Sequence, residues 1–253
     1  MIRKIIGIMG AMPEEVEGVV SLMSNLEKKI LGSRVFYQGN IQGIPVVVAI
    51  SGWGKVASAV TTSVLIHEFH ISKLIFTGVA GAIHTDLRIG DIVIGKRLIQ
   101  HDMDARPLLK RFEIPTLHKT YMESSPKQVE IAIKAVENMM NDNIFYHSLP
   151  ALNRMNLQKP RLFIGDIAGG DTFFSDSKQK MNLLSMLPSV LCVEMEGAAV
   201  AQVCCEYNIP FIIIRTISDS ADENSSVDFI SFIKEIAGRY SIEIVKNIVR
   251  MLM

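Results

Sequence analysis

Cysteine is scarce in this sequence. Only Cys192, Cys204 and Cys205 occur among 253 residues. The count is odd and no C-x-x-C pair exists, which excludes a disulfide framework and points to buried, reduced thiols in a cytoplasmic protein. No His and Cys stand at ligand spacing, so no metal is expected. Charge of one sign is lacking too. Lys plus Arg and Asp plus Glu number 26 each, and no basic field draws nucleic acid or an anionic membrane. Long hydrophobic runs are absent, so no membrane span is expected. "MIRKIIGIMGAMPEEVEG" starts like a secretory leader. Its apolar run is short, however, and Glu14, Glu15 and Glu17 come next with no small-residue cleavage site. Trp53 is the sole tryptophan.

What is present reads as a globular chain, with 49% hydrophobic and 21% charged residues. The length suits one large α/β domain and buries a core without staples. "KIIGIMG" reads as a buried strand, and "PEEVEGVVSLMSNL" as a helix with Pro13 in its first turn. "RVFYQGNIQGIPVVVAIS" reads as a hairpin turning between Gly39 and Gly43. "KVASAVTTSVLIHEF" is a helix, and "KLIFTGVAGA" and "GDIVIGKRLIQ" are strands. Residues 101–125 read as an irregular excursion, "SPKQVEIAIKAVENMM" as a helix capped by Ser125, and 141–159 as another loop-rich stretch. "RLFIGDIAGG" and "PFIIIRTIS" are strands. From Asp228 to Met253, apolar residues at a period near 3.6 predict a long amphipathic helix. With no repeat or linker, the sum is one α/β domain spanning 1–253 with a mixed, partly parallel sheet.

Several strands end alike, in "GIMGAMPEE", "SGWGK", "TGVAGA", "GGDTFF" and "SDSAD". Ligands of α/β sheets bind beyond the carboxyl ends of strands, so five such ends predict one shared cleft. Glu14 and Glu15 open a helix, where the dipole favours negative charge. The same charge makes "GIMGAMPEE" a poor phosphate cradle. Arg215 lies inside an apolar strand and requires a carboxylate partner, for which Glu196 or Glu15 is expected. Glu194 and Glu196 lie inside the apolar stretch "VLCVEMEGAAVAQVCC", where an unpaired carboxylate is costly. Glu194 is expected to be structural, paired to backbone or to another charge. Asp219 ends its strand and suits capping of the next segment, as does Asp222. His101 and Asp102 form a nominal catalytic pair that reads better as structural. Trp53, Phe173 and Phe174 suit a flat ring or a pocket wall.

"GIMGAMPEEV", "SGWGKVAS", "TGVAGA…GDIVIG", "GGDTFF", "VEMEGAAVAQVC" and "PFIIIRTISDSAD" together resemble the 5′-methylthioadenosine/S-adenosylhomocysteine nucleosidases. These belong to the purine nucleoside phosphorylase superfamily, and the resemblance runs nearly end to end. It implies a three-layer fold with a central mixed twisted β-sheet flanked by helices. It implies hydrolysis of the N-glycosidic bond of the two named nucleosides, with 5′-deoxyadenosine within the same chemistry and no cofactor. Position by position, it implies that Asp219 protonates adenine N7, that Glu15 activates water, and that Arg215 supports the water site. Glu196 would bond the ribose hydroxyls and Met195 pack on the sugar. Phe173 would stack on adenine, and the Phe174 backbone and Ser218 would read it. Met12, Trp53 and Gly81 would line the remaining substrate side. It also implies a homodimer in which a loop at about 101–118 of one subunit closes the partner's 5′ pocket.

The chemistry suits these residue types. Adenine leaves well when protonated, and carboxylates stabilise an oxocarbenium-like sugar. The resemblance also marks departures. Arginines that hold phosphate in phosphorylases are missing, with Thr77 at one place and "GAMPEE" at the other, which favours water over phosphate. Val79 stands where some relatives have serine. Trp53 and "DARPLLKRFEIP" are unusual and leave the 5′ substituent open, with a futalosine-type nucleosidase as alternative. Glu14 and Glu15 disfavour a 5′-phosphate such as that of AMP. A nucleoside-binding protein on the same scaffold is the alternative outside enzymes, although a pure binder need not keep Asp219.

Overall fold

In the computed structural model, residues 4–221 and 229–252 are described, the side chains at 229 and 230 excepted. The expectations for Asp222 and for a helix start at Asp228 lie outside these residues. The chain begins with β1 (Ile5–Gly10), α1 (Pro13–Val20), β2 (Ser24–Leu31), β3 (Arg34–Ile41) and β4 (Ile44–Ile50). α2 (Lys55–His67), β5 (Ile71–Ala82), β6 (Ile92–Gln100) and the short β7 (Met122–Glu123) come next. Then come α3 (Pro126–Met140), α4 (Asn143–His147), α5 (Pro150–Arg154) and β8 (Leu162–Gly169). The last part holds α6 (Ser177–Met186), β9 (Val190–Glu194), α7 (Gly197–Glu206), β10 (Phe211–Asp219), α8 (Phe229–Phe232) and α9 (Gly238–Met251). A π-helical turn at Ile233–Ala237 joins the last two helices.

The sheet is mixed, as expected. β1 pairs in parallel with β4 and β5, and β5 in parallel with β10. β6, β8 and β9 continue in parallel, while β10 meets β6 and β9 meets β5 antiparallel. These pairings close β5, β10, β6, β8 and β9 on one another, and β1, β4, β3 and β2 extend from β5 as an open wing. Helices α1, α3 and α9 pack one side, where Val16, Val19, Val136, Ile244 and Ile248 join Ile8, Ile75 and Ile214. Helices α2 and α7 cover the other, where Leu65, Val200 and Cys204 join Met9, Phe76 and Ile213. Strands buried on both faces explain the near-continuous apolar runs. All nine residues of β10 are buried.

Four local expectations are corrected. The first helix stops at Val20, and β2 takes over where the sequence suggested more helix. β2 is an edge strand with seven of its eight residues exposed, so no apolar alternation marks it. The loop-rich 141–159 stretch carries two single-turn helices that the sequence did not mark. Ser125 occupies the cap position of α3 but makes no side-chain cap bond; Pro126 at the first position starts that helix. The described part of the C-terminal helix is interrupted by its π turn.

Candidate active site

Beyond the carboxyl ends of β1, β5, β9 and β10 lies a cavity of about 200 Å³. Its walls include Met12, Glu15, Trp53, Gly81, Phe173, Phe174, Met195, Glu196, Ser218 and Asp219, so ten of the eleven residues singled out from the sequence converge there. Arg215, the eleventh, sits behind the wall. It is 1% exposed and reaches the site through its neighbours.

The turn from β1 into α1 presents Glu15, which is 3% exposed. One carboxylate oxygen accepts the N–H groups of Ala11 at 2.6 Å and Met12 at 3.0 Å. The other accepts Val79 N–H at 3.2 Å, from β5. Burial pushes the Glu15 carboxyl above its usual range, against the pull of Arg215 and these three amides. Gly78 makes the approach possible. A Cβ there would lie 2.7 Å from Glu15 Oε1 and 3.2 Å from an Arg215 nitrogen.

Arg215 stacks on Phe76, 4.2 Å from the ring centroid. Its carboxylate partner is Glu194, at 2.7 Å, and not Glu196 or Glu15 as the sequence suggested. The same oxygen, Oε2, also accepts Glu196 N–H at 3.1 Å and Gly197 N–H at 2.5 Å. Glu194 is therefore paired both to backbone and to a charge. It also lines the cavity, and its Oε1 has no hydrogen-bond partner among the described residues. Sequence reasoning left Glu194 outside the site. Its burial beside a strand arginine in need of a partner was the available signal.

Glu196 precedes α7 and accepts Gly54 N–H at 2.7 Å through Oε1. Burial first, and Glu194 second, raise its pKa to about 8. Asp219 closes β10. It accepts the Ser218 hydroxyl at 2.7 Å and Ala221 N–H at 2.8 Å, the latter as a local cap of the next turn. Trp53 and Phe173 stand at the mouth, 69% and 51% exposed, while Phe174 is buried and packs edge-on against His101. His101 and Asp102 are not among the described residues lining the cavity. Burial lowers the His101 pKa, and Asp102 bonds Lys55 and the Asp171 amide. Among the described residues no cluster of side chains fits a metal ion.

The site thus brings the carboxyl groups of Glu15, Glu194, Glu196 and Asp219 to one apolar cavity, with Arg215 behind its wall on Glu194. No lysine or arginine is among the described residues of its lining. Comparison with known proteins places the whole chain. The model of the phosphorylase superfamily matches residues 5–250. A protein of Oceanobacillus iheyensis named 5′-methylthioadenosine/S-adenosylhomocysteine nucleosidase is 33% identical over 246 residues, 97% of this chain and 98% of its own. A crystal structure of such a nucleosidase from Colwellia psychrerythraea, in complex with adenine, has a TM-score of 0.87 and 29% identity, covering 99% of this chain and 96% of that one. The native structure of futalosine hydrolase of Helicobacter pylori has a TM-score of 0.83 and 32% identity, covering 98% of each chain. This chain belongs to the phosphorylase superfamily and, within it, to the family of the 5′-methylthioadenosine/S-adenosylhomocysteine nucleosidases.

Proposed function

We propose that the protein hydrolyses the N-glycosidic bond of 5′-methylthioadenosine and S-adenosylhomocysteine, giving adenine and the thioribose. The observation that carries this reading is the lining of the pocket. The carboxyl groups of Glu15, Glu194, Glu196 and Asp219 border an apolar cavity, and no lysine or arginine is among the described residues of its lining. Arg215 stands behind the wall, bound to Glu194. Without a free cation a phosphate nucleophile is poorly held, and an ionised Glu15 favours a sugar that becomes cationic.

In the proposed reaction, protonated Asp219 gives its proton to adenine N7. The C1′–N9 bond breaks and its electron pair stays with adenine. Water then attacks C1′ of the oxocarbenium-like sugar and passes its proton to ionised Glu15. Exchange with solvent restores both carboxyls. Burial raises the Glu15 pKa and so strengthens it as a base. Arg215 and the Ala11, Met12 and Val79 amides keep its charged form accessible. Glu196 meets the ribose hydroxyls, Met195 packs on the sugar, and Phe173 covers the base, with Ser218 and the Phe174 backbone reading it. Met12, Trp53 and Gly81 bound the remainder.

Two further parts of the reading concern assembly and setting. Val56 and Leu108 are exposed, as Trp53 and Phe173 at the mouth are. Apolar side chains of this kind suit a homodimer in which residues of about 101–118 cover the partner's 5′ pocket. The three cysteines are free, which suits a cytoplasmic setting. The exposure of Trp53 and Phe173 at the mouth favours one second reading, a nucleosidase for another 5′ substituent, of the futalosine type.

The test is product analysis. The protein is incubated with 5′-methylthioadenosine, with and without phosphate, and the products are separated. Free adenine and methylthioribose without phosphate are expected. Turnover that requires phosphate and yields a sugar 1-phosphate would overturn the hydrolase reading. Adenine from neither condition would move the substrate to another 5′ substituent or make the protein a binder.

A further inference from the structure

Outside the cavity wall, the start of α2 and two loops are tied into a ring. Lys55 N–H donates to Asp171 Oδ1 at 2.7 Å. Lys55 Nζ donates to Asp102 Oδ1 at 2.8 Å and to Gln100 Oε1 at 3.2 Å. The other Asp102 oxygen accepts Asp171 N–H at 3.0 Å, which closes the ring. None of the three residues is among the described residues lining the cavity. Yet Lys55 lies two positions after Trp53, Asp171 two before Phe173, and Asp102 near the start of the 101–118 stretch. Gly54, between Trp53 and Lys55, gives its N–H to Glu196. It has a φ of +89°, and a Cβ there would lie 2.8 Å from Asp171 Oδ1. Loop and ring fit together only with glycine at this place.

An exposed ion pair holds little. This one differs in two respects. The Lys55 and Asp102 side chains are 23% and 26% exposed, so solvent screens them only in part. Two of the ring's bonds also run from backbone amides to its carboxylates, which ties main chain and not merely charges. Burial works against the Asp102 charge, but the Lys55 ammonium and the Asp171 amide outweigh it and hold the carboxyl below its usual range.

We propose that Lys55, Asp102 and Asp171 are positioning residues whose ring holds the Gly54 N–H on Glu196 and sets the gap between Trp53 and Phe173 at the pocket mouth. Its catalytic consequence rests on the nucleosidase reading; the ring itself does not. Trp53 is the sole tryptophan, so its fluorescence reports on this loop whatever the activity. Time-resolved anisotropy is measured on the full chain as wild type, Lys55→Met, Asp171→Ala and Lys55→Arg. In the Met and Ala variants the fast depolarising component is expected roughly to double, as for a loop freed on the nanosecond scale. Lys55→Arg keeps the charge and is expected to stay near wild type. With 5′-methylthioadenosine, KM is expected to rise about tenfold in the first two variants, the order expected for a lost charge-assisted hydrogen bond, with a smaller fall in kcat.

Unchanged anisotropy in Lys55→Met with a native far-UV spectrum would overturn the ring's role. Freed anisotropy with unchanged KM would overturn its link to the site. Should Lys55→Met fail to fold, Asp102→Asn keeps the shape and carries the same test. If the wild type does not turn over 5′-methylthioadenosine, the nucleosidase reading fails, while the anisotropy still decides the ring.

Discussion

Replacing Glu196 by Gln tests the electrostatics of the site without reference to any substrate. The carboxyl titrates near 4.5 when unperturbed and is raised to about 8 in the fold, by burial first and by Glu194 second, against the Gly54 amide and Arg215. Between these values the folded chain holds a proton that the unfolded chain releases. Stability from this group is therefore complete below the unfolded value and is lost as pH rises toward the folded one. One proton corresponds to about 1.4 kcal/mol per pH unit. From about pH 5 to about pH 7.5 the loss accumulates to about 3 kcal/mol, and it levels off above the folded pKa. Gln keeps an oxygen for the Gly54 N–H and does not titrate. The assay is urea unfolding of both proteins across this range. The wild type should lose stability relative to Glu196→Gln as pH rises. Glu15, also raised by burial, slopes the same way in both proteins, so the difference isolates Glu196 together with its repulsion by Glu15. Parallel curves would refute the reasoning, since Glu196 would then be ionised in the folded chain at neutral pH.

Three other outcomes are expected from the same geometry. Asp219→Asn should lower turnover by about 10²–10⁴-fold, the usual contribution of a positioned acid, while calorimetry finds adenine binding little changed; unchanged turnover removes the general-acid role. Arg215→Met strands buried Glu194 and should cost about 3–5 kcal/mol, read as a lower denaturation midpoint; a stable variant would mean that the amides of Glu196 and Gly197 suffice to hold the charge. Trp53→Ile should shift the kcat/KM ratio between S-adenosylhomocysteine and 5′-methylthioadenosine by at least about tenfold, within the range for reshaping an apolar pocket. A constant ratio would take Trp53 out of specificity.

The legible part of this protein is the part that repeats locally. The buried strands announce themselves because both faces are covered, so "FIIIRTIS" reads as core wherever it lies. The cleft is legible for a related reason. Glycines and acids recur at strand ends, and an α/β sheet brings its strand ends to one edge. β2 fails this test because it buries almost nothing, and an edge strand held mainly by its ladder to β3 leaves no apolar period to read.

The partner of Arg215 fails it for a deeper reason. The choice between Glu194, Glu196 and Glu15 depends on strand register, which no local pattern carries. β5 settles it, by pairing Gly78 with Arg215 on one side and Gly81 with Val193 on the other. β9 runs antiparallel to β5, so Glu194, one step past Val193, comes back toward Arg215. Glu196 lies beyond the strand, at the start of α7, and faces Gly54 instead. The division of labour between the two glutamates results from that pairing. Glu194 neutralises the buried cation, which leaves Glu196 without a cation of its own. Burial first and the neighbouring Glu194 second then raise the Glu196 pKa to about 8, with only the Gly54 amide and the more distant Arg215 against them.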